Sequence, residues 1–105
     1  MILFVEYVVE ERHRSAYLEW VRREPERWRG TELMESTSQP GVMVELRRVA
    51  DAEEAARIEK ERREGRSGWQ AMESWIKGGR EGLRIWTFAP VAGGFSGTRQ
   101  TEAYS

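Results

Sequence analysis

The chain holds one histidine, His13. Imidazole is the residue type that exchanges protons near neutrality, so His13 can act as a general base or as a haem ligand. It falls one turn before Ala16 and Tyr17 on an apolar helical stripe, which makes His13 and Tyr17 the candidate catalytic pair. The competing reading is a partly exposed histidine at a helix start. Around this pair is a rich supply of rings, with five tryptophans in 105 residues. Trp20 shares the His13 stripe. Trp69, Met72 and Trp75 fit one short helix, Trp28 and Met34 lie between these groups, and Arg84 and Trp86 belong to the last apolar run. Flat apolar rings with a polar edge suit a planar organic ligand. They equally suit core and interface packing in a small domain that needs large residues.

Other chemistry is excluded or weak. The absence of cysteine removes disulfides, thiolate nucleophiles, iron–sulfur clusters and cysteine zinc sites. One histidine cannot supply two imidazole ligands, and no metal site is expected. Gly93 to Thr98 lacks both the lysine of a phosphate loop and the spacing of a nucleophile elbow. Glu53, Glu54, Glu59, Lys60, Glu61, Arg62, Arg63 and Glu64 read as a solvated helix face laced by i, i+4 pairs. Arg22, Arg23, Arg27 and Arg29 surround Trp28, but Glu24 and Glu26 cancel most of their field. With 17 basic and 18 acidic side chains the net charge is -1, so nothing drives the chain toward nucleic acid or anionic lipid. No apolar run approaches the ~20 residues of a membrane helix. Met1 to Val9 lacks a basic leader and carries Glu6, so no signal peptide is expected and the expected location is cytoplasmic. Arginine outnumbers lysine 15 to 2 and asparagine is absent, which reads either as GC-rich coding or as heat adaptation.

The elements that must position these residues follow from periodicity. Residues 2–9 form a β-branched and aromatic strand, apolar on both faces: Ile2, Phe4 and Val8 on one, Leu3, Val5, Tyr7 and Val9 on the other. A helix over 12–24 carries Ala16, Tyr17, Trp20 and Val21, and Pro25 stops it. Strands over 31–37 and 42–49 flank a Pro40-Gly41 turn, so they form an antiparallel hairpin. Asp51 and Glu54 have capping-box spacing before a helix over 52–64, which Gly65 ends. Ser67 and Gln70 offer a second box before a short helix reaching Lys77, closed by Gly78 and Gly79. A last strand covers 83–89. Residues 91–105 read as an irregular arm appended to one domain over 1–90.

The order is βαββαβ, so the fold class is α+β: ferredoxin-like, a four-stranded antiparallel sheet with both helices on one face. Either face of the first strand is too apolar to be left in water. A second copy placed sheet to sheet by a two-fold axis is therefore expected, a homodimer.

The opening apolar strand, the Trp69–Ile76 helix and the closing Arg84-Ile85-Trp86-Thr87-Phe88-Ala89-Pro90 together resemble the dimeric α+β barrel superfamily. It includes the antibiotic-biosynthesis-type monooxygenases, the EthD-like and stress-responsive barrel proteins and the haem-degrading monooxygenases. The resemblance covers about residues 1 to 90. It implies a pocket between each sheet and its own helices. His13, Tyr17 and Trp20 would line one wall, Trp69, Met72 and Trp75 another, with Trp28 and Met34 at the border. A cofactor-independent monooxygenase of this fold would bind a planar phenol or quinol, with His13, Tyr17, Arg84 and Trp86 as candidate base and donors. Haem-degrading members use Asn, Trp and His together; lacking asparagine, this chain is expected to hold neither haem nor another cofactor. Glu6, Glu45, Arg47 and Arg84 fall on alternate strand positions and are read either as an ion network inside the barrel or as exposed strand ends. Three functions stay open: a barrel with an aromatic pocket for a small organic ligand, a cofactor-independent monooxygenase, and a non-catalytic dimeric interaction module.

Overall fold

The computed structural model describes residues 1–91. The expected irregular arm lies, but for Val91, outside the described residues. Strands β1 (Ile2–Val8), β2 (Thr31–Glu35), β3 (Val42–Arg48) and β4 (Arg84–Phe88) and helices α1 (Arg14–Arg23) and α2 (Ala52–Glu64) follow the anticipated βαββαβ order. The sheet runs β2-β3-β1-β4 with every neighbouring pair antiparallel, a ferredoxin-like arrangement. Among the described residues no helix is long and apolar enough to cross a membrane.

Strand β1 decides the layering. Leu3, Val5, Tyr7 and Val9 are buried beneath the helices, each side chain contributing about 1.5–3 kcal/mol of apolar burial. Ile2, Phe4, Glu6 and Val8 alternate onto the other face and stay partly or fully accessible. Tyr17 and Trp20 are the buried residues of α1, while Ala16, expected on the same stripe, is exposed. A 3-10 turn over Glu11–His13 leads into α1.

Local chemistry sets the boundaries. Asp51 Oδ1 accepts from Glu54 N at 2.9 Å, and the Glu54 carboxylate reaches back to Ala50 N at 2.6 Å, one residue beyond a standard box. Gly65 ends α2 in the left-handed region at φ 68°. The second box does not form: Gly68, not Ser67, is the cap, without a side-chain hydrogen bond, and the segment Trp69–Trp75 is 3-10. That segment is tied to the end of β1 by Glu10 N to Trp75 O at 3.0 Å and Lys77 N to Val8 O at 2.9 Å. Strand β2 ends at Glu35, earlier than expected, because Ser36 Oγ turns the chain by accepting from Ser38 N and Gln39 N. At Gly41 (φ 96°) a Cβ would lie 2.8 Å from Val9 O, so only glycine fits there.

Candidate functional site

Six of the proposed pocket residues converge between sheet and helices: Tyr17, Trp20, Trp28, Trp69, Met72 and Trp75. Trp20 is the hub. Its ring centroid lies 5.8 Å from Trp28, 6.1 Å from Trp69 and 5.8 Å from Trp75, all near edge-to-face. This is the favoured geometry for ring pairs, and it fills space. The void left beside the cluster is about 10 Å³, bordered by Leu3, Val5, Ile58, Arg62 and Trp69 among others. A small-molecule site needs roughly 300 Å³ or more. Among the described residues these side chains pack as part of the hydrophobic core.

Polar groups sit at the bottom of this core. Glu45 of β3 and Arg62 of α2 are 4% and 3% exposed and form a two-pronged ion pair, at 2.7 and 3.0 Å. Tyr7 donates to Glu45 Oε2 at 2.6 Å. Its single proton being so used, the 2.8 Å contact with Tyr17 Oη has Tyr17 as the donor. The Arg62 guanidinium lies 3.6 Å from the Trp69 ring centroid, and Arg27 lies 4.6 Å from the same ring. Burial, reinforced by the Glu45 charge, holds the Tyr7 hydroxyl well above its usual range, and burial raises Tyr17 too. Both phenols therefore keep their protons near neutral pH. In the sequence neither Tyr7 nor Arg62 is placed at a site and Glu45 is put only in an ion network with Glu6, Arg47 and Arg84, yet Arg62 and Glu45 left a signal. Ala55, Ile58 and Arg62 share one helical stripe, and Glu45 alternates with Met43. The solvated-face reading of Arg62 fails because its guanidinium finds a carboxylate inside.

The remaining candidates lie elsewhere. His13 is half-buried at the start of α1, its Nε2 3.8 Å from Glu10 Oε1. Met34, Arg84 and Trp86 occupy the opposite face of the sheet, so they cannot share a pocket wall with Tyr17 or Trp20. The proposed ion network is split in the same way. Val5 pairs with Glu45 and Leu3 with Arg47 on the helix face, whereas Glu6 pairs in register with Arg84 on the open one. Among the described residues no group of three or more acidic or histidine side chains is placed to hold a metal ion.

The open face is apolar and aromatic. Phe4 lies 5.3 Å from Trp86 and 6.0 Å from Phe88 by ring centroid. Trp86, Phe88 and Met34 are 43%, 54% and 46% exposed. Ile2, Val42, Val44 and Leu46 lie between them, half-buried by their neighbours alone. Beside this cluster a groove of about 660 Å³ runs along β2 and β3, lined by Ile2, Gly30, Thr31, Glu32, Leu46 and Arg48. No protein family, no curated protein and no solved structure matches the chain.

Proposed function

We propose that the chain is a non-catalytic homodimeric module that pairs sheet to sheet into an α+β barrel, as the dimeric barrel superfamily does. The observation that carries this is the contrast between the two sheet faces. One is sealed by the helices down to a void of about 10 Å³, while the other presents Phe4, Trp86 and Phe88 as an uncovered cluster. Four strands at ~4.8 Å spacing and seven residues at ~3.3 Å give a footprint of roughly 19 by 23 Å. That projected area, roughly 440 Å², is about half of the ~800 Å² of accessible surface that each partner buries in a standard interface. The face carries two acids, Glu6 and Glu32, and two bases, Arg48 and Arg84, so it presents no net charge to a copy of itself.

Oxygenation through His13 and Tyr17 has less support. Tyr17 is fully buried with its proton committed to Tyr7, and His13 sits at the rim of the domain. A ligand reading keeps one observation in its favour, the groove of about 660 Å³ on the open face. Saturable quenching of tryptophan fluorescence by planar phenols, with the mass unchanged, would support it.

Sedimentation at micromolar concentration tests the proposal. Twice the chain mass is expected, falling to one chain mass for Phe88→Asp with unchanged far-ultraviolet circular dichroism. A wild-type chain that stays monomeric overturns it. If deletion of residues 92–105 from such a monomer made it associate, the open face would be assigned to that segment instead.

A further inference from the structure

We propose that the two-fold axis of the pair runs along the strands, so that β4 of each copy lies over β2 of the other and its Trp86 and Phe88 enter the groove beside β2. This geometry rests on the sheet-to-sheet pairing above. The open face is organised in cross-strand rows. Phe88, Ile2 and Arg48 form the first, Trp86, Phe4, Leu46 and Glu32 the second, and Arg84, Glu6, Val44 and Met34 the third. Its shape is lopsided. The projecting rings stand on the β4 side in the first two rows, and the groove lies on the β2 side of the same two rows.

A two-fold axis between facing sheets has few orientations. An axis along the strands keeps each row opposite itself and exchanges the sides. Rings then face groove, and Arg48 of one copy approaches the apolar corner formed by Ile2 and Phe88 of the other, where a guanidinium can lie over a ring. An axis across the strands lays β4 over β4. The order of the rows is then reversed, the rings of each copy lie over β4 of the other, both grooves stay unfilled, and Arg84 is far from Glu32 of the second copy. A diagonal axis puts Phe88 over its own twin or over the far end of β2, and in neither case over the groove.

Charge points the same way. Glu6, Glu32, Arg48 and Arg84 form no ion pair with one another or with any other described residue. With β4 over β2, Arg84 lies above Met34 of the second copy, one row from its Glu32. A pair across the rim of the interface then fixes the register more than it adds affinity. Shape and charge select the same axis independently.

The absence of native cysteine makes the test clean. A chain carrying both Met34→Cys and Arg84→Cys is treated with a short bis-maleimide matched to the ~10 Å spacing of facing sheets. The outer strands of one copy are about 14 Å apart, too far for the same linker. Covalent dimer from the double variant, and none from either single variant, is the expected result. Covalent dimer from Arg84→Cys alone means β4 over β4 and overturns the proposal. No covalent dimer from a double variant that still sediments as a dimer also overturns it, while leaving the pairing intact. A monomeric wild type removes both. As a second measurement, Arg84→Glu and Glu32→Arg should each weaken the dimer about tenfold, and the chain carrying both should recover to within about threefold of wild type.

Discussion

Glu45 and Arg62 are an ion pair with almost no water around it, and such a pair is judged by what happens when it is broken. Desolvation offsets much of its attraction, so an apolar pair of the same volume would cost little. Removing one member leaves a buried charge unanswered. Arg62→Ala should therefore destabilise the fold by roughly 3–5 kcal/mol. Since 1 kcal/mol moves the midpoint by about 4–8 °C in a domain of this size, thermal unfolding will show the loss plainly. Chains carrying both Arg62→Met and Glu45→Leu should recover most of it; failure to recover would mean that the pair contributes more than mutual neutralisation. The two tyrosines add a pH dependence. Their folded pKa values lie above the unfolded value of about 10, so their contribution is full below pH 10 and declines as pH rises above it. In an alkaline titration followed at 295 nm, the absorbance change lost in Tyr7→Phe and Tyr17→Phe should coincide with unfolding in wild type. A normal titration of either phenol would contradict the buried network.

At the scale of elements, the hairpin of β2 and β3 is closed by an acid. Glu35 makes a two-pronged ion pair with Arg14 of α1, with one contact at 2.7 Å, and accepts from Gly41 N at 2.8 Å. The Arg14 guanidinium, helped by that amide, holds the Glu35 carboxyl down to about 2. The contribution of this clamp is thus fully present above the unfolded pKa near 4.3 and is lost as pH falls toward 2. Glu35→Gln should remove that part of the acid dependence, leaving a shallower fall of stability between pH 5 and 2; an unchanged slope would show that the clamp contributes nothing. The same scale shows where periodicity reads well. Strand β1 and the Asp51–Gly65 helix are local statements, made by alternation, caps and a left-handed glycine. The Ser67 box misled because a positive-φ glycine next to it takes the cap position, a choice made by the chain's path rather than by the spacing.

For the whole molecule, the decisive feature is that the helices cover only one face of a sheet that is apolar on both. If the pair forms, folding and association are linked, and the thermal midpoint must rise with protein concentration. Scans over a hundredfold range should show that shift, and Phe88→Asp should abolish it. A midpoint independent of concentration would separate stability from assembly.

The order of elements, the antiparallel hairpin and the doubly apolar first strand follow from the residues in line, because alternation, helical stripes and turn chemistry act between near neighbours. The sequence also names the aromatic residues that gather around Trp20, but not that they close on one another. Whether five large rings leave a cavity depends on how side chains from α1, the Trp69 segment and the sheet interlock, a matter of tenths of an ångström. Which face of β1 meets the helices, and hence that Glu45 is enclosed while Glu6 and Arg84 are open, was likewise decided only in three dimensions. Both faces are apolar, so hydrophobicity alone does not break the tie. On the helix side the Glu45 carboxylate is answered by Arg62 of α2 and by Tyr7, which is what a buried carboxylate needs.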